Sequence, residues 1–503
     1  MSEKKYSFMK SILPENALNF SRRTRYVCES MIERIYPSKI ILPMKQHYGV
    51  EAIPTVEVGD EVLIGQCVGA PAPGSFSVPV HSGISGKVTE IKTITLPNGV
   101  STKAIVIESD MKRTYHPSLR PRQDLNVDAR TAMGIIKNAG IVGMGGEGIP
   151  TIAKLNRARR LKVNELLVNC LQSEPYATCD LHRICDTPDY IVMGAVVVAG
   201  IIGVSKIRFL ISSERKLELG YLNNSIDGIK RDYPDLTFEV VRFKERFPQG
   251  HFRLIARALY SVELSENDTL EESVKAALFN CSTLNAVWEA VADNMPFCSR
   301  IVSVSGDTTD GHNVLVPIGT PIRDVLSKMS PVFSSCRIVW GNALTGLSCT
   351  DLDTPIIKTT SAITVIKMLG SPKTPCIHCG MCYDACPMDI TPSICYKLID
   401  LGQDSKALHE NANRCIACGA CSYVCPAGLD LTGTIASFAA KNRLISKTNE
   451  ELSNNNRTRF TMDKLDIGDA SLLEAYAEDE DGLNSDEIDE DTIVLPFEGG
   501  KYV

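Results

Sequence analysis

The apolar positions of this chain change their period several times, and each change marks a different kind of element. From Lys39 to about Ser109 they fall in short runs, Ile40-Ile-Leu-Pro, Thr55-Val-Glu-Val, Glu61-Val-Leu-Ile and Lys87-Val-Thr-Glu-Ile, with Gly and Pro between them. Such runs predict strands joined by turns. From Tyr190 to Val204 the residues are almost all apolar, and Ile207-Arg-Phe-Leu-Ile211 follows directly. The run falls short of the roughly 18 apolar residues of a membrane span, so it predicts a buried helix leading into a strand. Glu165-Leu-Leu-Val-Asn169 and Thr237-Phe-Glu-Val-Val-Arg-Phe243 read as further strands of the same α/β unit, with helical stretches between. Ahead of all this, Leu18, Phe20, Tyr26, Val27, Met31, Ile32 and Ile35 recur at loosely helical spacing in a polar leader. That predicts a helix packed on its own domain or one that docks a partner. Beyond about Ile445 the pattern dissolves into Ser453-Asn-Asn-Asn-Arg457 and the acidic runs Glu478–Asp481 and Asp486–Asp491. A solvated tail is the expectation, with Ile493-Val-Leu-Pro-Phe497 as a candidate docking peptide.

At 503 residues the chain is too long for a single core. A net charge of −7 gives no sign of nucleic acid as a partner. The N-terminus has no apolar core long enough for a signal peptide. The cysteines number 18 and show no disulfide-like pairing, which predicts a reducing, cytoplasmic setting.

Eight of those cysteines form two runs. One is Cys376-Ile-His-Cys379-Gly-Met-Cys382-Tyr-Asp-Ala-Cys386-Pro387, the other Cys415-Ile-Ala-Cys418-Gly-Ala-Cys421-Ser-Tyr-Val-Cys425-Pro426. Each is the C-x2-C-x2-C-x3-C-P run of bacterial ferredoxins, whose fourth cysteine ligates the other cluster. The spacing therefore pairs Cys376, Cys379 and Cys382 with Cys425, and Cys415, Cys418 and Cys421 with Cys386, around two [4Fe-4S] clusters. Zinc also takes C-x2-C pairs, but closes a site with four ligands and has no use for a third cysteine and a C-P step.

The densest glycine stretch is Gly143-Met-Gly145-Gly146-Glu147-Gly148-Ile-Pro150-Thr151, with Lys154 a turn further on. Such a loop lets backbone N–H groups approach a ligand, and the next helix can present its N-terminus to an anion. By itself it reads equally as a plain turn. Strand 165–169 then ends in Cys170-Leu-Gln-Ser-Glu174-Pro-Tyr176, at the strand end where open α/β sheets hold ligands.

Taken in order, several motifs resemble one family. They are Leu42-Pro-Met-Lys-Gln-His-Tyr-Gly49, the glycine loop, Asn169 to Tyr176, Arg246-Phe-Pro-Gln-Gly250, Ile301–Asp307 with Val314–Thr320, and the two cysteine runs. The set resembles RnfC, the NADH-side subunit of the Rnf ion-translocating ferredoxin:NAD oxidoreductase, and more distantly the flavoprotein subunit of complex I. The resemblance implies a multidomain α/β plus β chain. Its expected parts are an extension (1–38), a biotinyl/lipoyl-like barrel (39–115), a Rossmann-like FMN/NADH domain (125–295), a β-grasp module (296–345), an α-helical dicluster ferredoxin domain (365–440) and a tail (446–503). Lys87 sits inside a strand pattern and not in a Met-Lys hairpin tip, so the barrel is expected to be structural.

The resemblance further implies that Gly143, Gly145, Gly146, Gly148 and Lys154 line FMN, that Asn169 meets its ring or ribityl chain, and that Glu174 faces the nicotinamide. Asn280 and Thr283 would add flavin contacts. Departures from the family pattern at Glu147, Leu171, Gln172, His251, Phe252 and Arg253 fall mostly on the nicotinamide side, and predict poorer handling of NADH than of FMN. The expected function is an NADH-linked oxidoreductase subunit with no protein nucleophile. Its partners would be other subunits and ferredoxin-like carriers, with any membrane reached only through them. A soluble carrier for a cobalamin- or proline-reductase-type enzyme, or a cluster wire with an empty α/β scaffold, are the alternatives.

Overall fold

The computed structural model describes residues 7–9, 32–125, 127–172, 174–306, 312–327, 336–367 and 374–454. The alternating runs after Lys39 form two small sheets. One orders the strands Lys39–Pro43, Ser101–Ser109, Gly86–Thr95 and Glu61–Val62; the other orders Ile53–Pro54, Cys67–Ala70 and Val80–His81. Ile40, Leu42, Val68, Val80, Val88, Ile105 and Ile107 are buried in the core they share with the neighbouring domain. Lys87 is exposed within its strand, paired with Glu61 on one side and Glu108 on the other. Thr55–Val58 is not a strand. The Asp60 carboxylate accepts from Glu57 N at 2.8 Å, and Gly59 takes φ +106°, so the chain turns there and pairing falls at Ile53–Pro54.

The buried strands form one parallel sheet in the order Ser7–Met9, Thr237–Phe243, Lys206–Ser212, Glu165–Asn169, Ala276–Asn280. Two of these departed from expectation. Ser7–Met9 comes from the leader, and Ala276–Asn280 was not foreseen as a strand. The apolar run folds as the helix Pro188–Ile202, buried on nearly every face because it lies between the sheet and the helix Cys281–Ala292. No single helix among the described residues is long and apolar enough to cross a membrane; Cys179–Asp186 with Pro188–Ile202 reaches that length only as a pair bent by 96°.

A third sheet orders Leu347–Cys349, Cys336–Trp340, Ala362–Lys367, Ser299–Gly306, His312–Pro317 and Glu33–Arg34. It runs past the boundary expected at 345, since Ala362–Lys367 pairs with Ser299–Gly306 at its centre. Ile35 belongs to this sheet's edge and not to a helix: its N–H bonds Leu315 O at 3.0 Å. Ile32 is likewise outside any helix, and the remaining residues of the expected leader helix lie outside the described residues, as do the acidic runs and Ile493–Phe497. After the cysteine runs the helix Leu431–Asn454 continues beyond 446, where a tail was expected to begin.

The helices Pro188–Ile202 and Cys281–Ala292 cross at Gly194, where an added Cβ would stand 1.9 Å from Leu284 O. On propensity alone alanine favours a helix over glycine by about 1 kcal/mol. Here the backbone contact should dominate. Gly194→Ala should lower stability by roughly 1–3 kcal/mol, the usual cost of overpacking. Urea denaturation followed by circular dichroism measures it, and a stabilised variant would contradict the close crossing.

Candidate functional site

Strands Glu165–Asn169 and Ala276–Asn280 are neighbours, with Asn169 opposite Asn280, so both carboxyl ends open on one crevice. The glycine loop arches over it. Gly143 N bonds Ile149 O at 2.8 Å and closes the base of the loop; Met144 N donates to Thr283 Oγ1 at 3.0 Å and ties it to the start of helix Cys281–Ala292. Gly145 sits against Asn280, where an added Cβ would be 3.9 Å from Asn280 Cβ. Asn280 caps that helix by accepting from Ser282 N and Thr283 N, and its amide donates to Asp180 Oδ2 at 2.7 Å.

The loop's tip, Gly145-Gly146-Glu147, is exposed. Gly146 has φ +116° with open space around its Cβ position, a conformation that admits glycine. Among the described residues no acceptor meets the tip's N–H groups. The helix Thr151–Arg160 that follows has no side-chain cap, and its first turn is tied to backbone instead: Thr151 N donates to Ile141 O at 3.0 Å and Ala153 N to Pro150 O at 3.1 Å. Nearby, Gln249 is 2% exposed and neither of its side-chain polar atoms has a partner among the described residues. A buried amide left in that state fits a polar ligand in the crevice.

Three expected ligand contacts are turned elsewhere. Lys154 does not reach back to the loop: its ammonium donates to Leu278 O and lies 4.9 Å from the centre of the Phe279 ring. Burial lowers its pKa, and the carboxylates of Glu271 and Glu147 oppose that shift. The reason is packing, because helix Thr151–Arg160 lies on the strand that ends in Asn280. Asn169 spends its side chain on the backbone, donating to Gly250 O at 3.0 Å and accepting from Leu171 N at 3.1 Å. It thereby joins the Pro-Gln-Gly turn to the strand end. Glu174 is buried and accepts from Thr345 Oγ1 of the third sheet's loop; burial pushes its pKa up to about 7, against the hydrogen bonds. Thr345, Asp180 and the Met144 amide had no local signature in sequence, since each partner lies 100 or more positions away.

The cysteines gather as the spacing predicts. One hollow is lined by Cys376, Cys379, Cys382 and Cys425, the other by Cys415, Cys418, Cys421 and Cys386. Among the described residues no three His, Cys, Asp or Glu side chains converge on a single-ion site. Four thiols spread around a cavity suit a cluster, not a tetrahedral zinc. Burial pushes the Cys421 thiol up to about 11 and raises Cys386 and Cys415 as well.

Comparison with known proteins agrees with both halves of this geometry. Residues 136–289 match the model of the Nuo51 FMN-binding domain, residues 9–112 that of the RnfC barrel sandwich hybrid domain, and residues 368–442 that of a 4Fe-4S dicluster domain. The chain is 31% identical over 388 residues to a subunit of the proton-translocating ferredoxin:NAD(+) oxidoreductase complex of Clostridium ljungdahlii, covering 75% of this chain and 80% of that one. It is 31% identical over 366 residues to a subunit of the Na(+)-translocating ferredoxin:NAD(+) oxidoreductase complex of Acetobacterium woodii, covering 71% and 80%. Against a subunit of the ion-translocating oxidoreductase complex of Rhodobacter capsulatus the identity is 29% over 365 residues, covering 71% and 69%. The chain thus combines a barrel sandwich hybrid, an FMN-binding domain and a domain for two [4Fe-4S] clusters.

Two outcomes follow from the site. Glu174, with a folded pKa of about 7 against 4.5 when free, binds its proton more tightly in the folded state. Its contribution is therefore fully present below pH 4.5 and is lost as pH rises towards 7. Glu174→Gln should remove that loss, making the variant more stable than wild type at pH 8 by up to about 3 kcal/mol while leaving little difference at pH 4.5. Paired denaturation curves at the two pH values decide it. Separately, Cys425→Ser should disturb the cluster of the first run and not the second, read as a change in one of two [4Fe-4S] signals after anaerobic reconstitution; stoichiometric zinc without iron would overturn the assignment.

Proposed function

The chain belongs to the RnfC family, and on that footing we propose that it is the subunit through which an ion-translocating electron-transport complex exchanges electrons with NADH. It passes them by way of FMN and two [4Fe-4S] clusters towards a ferredoxin-type carrier. FMN supplies the conversion between a two-electron hydride and single electrons. The residues of this chain bind and orient. Gly145 and Gly146 offer backbone donors to the phosphate. Asn280 and Thr283 hold the loop in position through Met144. Gln249 lies where the nicotinamide would enter. The observation that carries this reading is the convergence of the glycine loop, the helix start at Asn280 and the Pro-Gln-Gly turn on two adjacent strand ends.

The finer architecture belongs to the same proposal. The sheet from Ser299 to Lys367 serves as the β-grasp module, and the barrel as a docking and clamping unit with no swinging lysine. The partners are the other subunits of the complex, and the membrane is reached through them. Glu147, which sequence reasoning set against flavin and nicotinamide binding, is exposed, and its charge opposes the fall in the Lys154 pKa. That supports FMN binding with Glu147 in place; the departures at Leu171, Gln172, His251, Phe252 and Arg253 still favour poorer handling of NADH than of FMN.

The test is anaerobic mixing of the FMN- and cluster-loaded protein with NADH. Bleaching of the flavin band followed by loss of cluster absorbance is expected. Reduction by dithionite but not by NADH would refute NADH as the donor. Glu147→Ala should change the FMN Kd by less than about fivefold, since an exposed charge is worth under about 1 kcal/mol.

A further inference from the structure

The two cysteine runs repeat their ligands, but not every group that reaches their sulfurs. The backbone contact is repeated: His378 N donates to Cys376 Sγ and Ala417 N to Cys415 Sγ, both at 3.4 Å. A hydroxyl is not. Thr432, at the start of helix Leu431–Asn454, has its Oγ1 3.2 Å from Cys421 Sγ. Ser422 sets the direction of that bond, because its Oγ accepts from Thr432 N at 2.8 Å and donates to Thr432 Oγ1 at 3.0 Å. The Thr432 hydroxyl has then accepted one bond and keeps its own proton for the sulfur. A sulfur bound to iron is a thiolate without a proton, so in the loaded site the hydroxyl is the donor. Ser393 stands eleven positions after Cys382, as Thr432 does after Cys421. It lines the first hollow, yet among the described residues it makes no bond to a sulfur. The counterpart of Ser422 there is the exposed Tyr383.

A charge also reaches the second run. The helix Phe252–Tyr260 carries Arg253, which is 5% exposed. Its Nη1 donates to Arg414 O at 3.1 Å, beside Cys415, while its Nε and Nη2 donate to Leu264 O at 3.0 and 2.8 Å. These bonds leave the guanidinium one position. Among the described residues no carboxylate pairs with it. Glu263 is engaged by Arg257 at 3.3 Å and by Arg414, and Glu266 by Asn413 at 2.5 Å. His251 adds no charge at neutral pH, since burial, and then the Arg253 and Arg443 guanidinium groups, drive its pKa down to about 4. A fixed cation without a carboxylate of its own therefore stands against the backbone that carries Cys415.

We propose that Thr432 and Arg253 tune the cradle of Cys386, Cys415, Cys418 and Cys421, each raising the reduction potential of the cluster held there. The inference rests on the reading of the cysteines as two [4Fe-4S] sites. Reduction adds one electron to a cluster, supplied by the reduced flavin or, in a titration, by dithionite; no bond to the protein forms or breaks and no proton is needed. The added negative charge spreads onto the sulfurs. A donated O–H bond strengthens as its acceptor gains charge, and a fixed cation nearby attracts that charge. Both favour the reduced form. Net charge and hydrogen bonds to sulfur are among the properties that separate the potentials of clusters with the same ligands. Neither residue touches iron: Thr432 acts through Cys421, and Arg253 across the Arg414 carbonyl beside Cys415.

The experiment is a potentiometric titration of the full chain, reconstituted anaerobically with iron, sulfide and FMN, in which EPR reads the midpoint of each cluster. Thr432→Val removes the hydroxyl and keeps the shape; Arg253→Gln removes the charge and keeps an N–H donor. Each should lower one midpoint, shifting its reduction equilibrium by about tenfold, or 59 mV for one electron. The other midpoint should move by less than about twofold. Thr432→Ser and Arg253→Lys, which retain the hydroxyl and the charge, should stay within about threefold of wild type. Both substitutions should act on the same midpoint, the one that Cys379→Ser leaves in place. A midpoint unmoved by Thr432→Val, or lowered as far by Thr432→Ser, overturns the role of the hydroxyl. The same pair of results for Arg253→Gln and Arg253→Lys overturns that of the charge. A variant that folds but holds less iron than wild type also counts against tuning, since its residue then builds the cradle. Zinc in place of iron in wild type sinks the cluster assignment itself, whereas two clusters indifferent to all four substitutions sink this inference alone.

Discussion

The arrangement of the flavin half depends on one buried ammonium. Lys358 is about 1% exposed and donates to Pro79 O of the barrel at 2.8 Å and to Gly140 O at the foot of the glycine loop at 2.7 Å. Its own N–H is held by Gln46 at 3.2 Å. Burial drives its pKa down to about 7, a sign of how much desolvation the two carbonyls must offset. The neighbouring Thr359 and the barrel's Tyr48 close on the loop's other end: Tyr48 N donates to Gly148 O at 3.0 Å, and an added Cβ on Gly148 would meet Thr359 Cγ2 at 2.6 Å. Both ends of a flexible, glycine-rich loop are therefore fixed from outside its own domain. The barrel thus has a physical use in holding the loop.

The same device recurs at other buried cations, within units and between them. Arg300, fully buried, donates to Ile301 O and Lys358 O; Arg253 donates to Leu264 O and Arg414 O; Lys154 donates to Leu278 O. In each case a buried cation is answered by backbone carbonyls. A carboxylate partner would add a second ion to desolvate, and buried ion pairs often recover no more than they lose. A carbonyl brings no such charge, and its position is set by the fold. The cations consequently report the relative placement of backbone segments far apart in sequence, which is what a chain of several small units needs if electrons are to cross between them.

That device also explains what the sequence could and could not reveal. Local rules sufficed for the helix over 188–202 and the strand over 206–212, because an uninterrupted apolar run followed by a short β-branched run has few other solutions. They sufficed for the cysteine cradles, because the ligand spacing encodes its own geometry. They failed at Thr55–Val58, where an Asp60 side chain rather than propensity decides the turn, and at Ala276–Asn280, whose Ala-Ala-Leu start favours a helix until a neighbour strand lies beside it. For the candidate ligand residues the outcome divides by range. Gly145, Asn280 and Thr283 lie together, through Met144 and the helix cap. Lys154, Asn169 and Glu174 are committed to Leu278, Gly250 and Thr345, partners 81 to 171 positions away, and no local pattern announces a contact of that range.

The two cysteine runs make the same point from the opposite direction. Their ligands and spacing are nearly equivalent, so ligation alone would leave two equivalent sites. Solvent exposure and surrounding dipoles help set the properties of a cluster, and these differ between the runs: one is covered by Leu254, Ile416 and the Arg414 region, the other has Ile377, Met381 and Tyr383 in water. Reducing a cluster adds negative charge, and a drier setting stabilises that charge less, while nearby cations stabilise it more. Burial first, and then the neighbouring Arg414 guanidinium, lower the Arg253 pKa beside Cys415, so the covered site has both influences in opposition. A duplicated motif thus supplies two carriers of one chemistry, and the contacts that are not duplicated make them unequal, which gives a path between two domains its direction of docking.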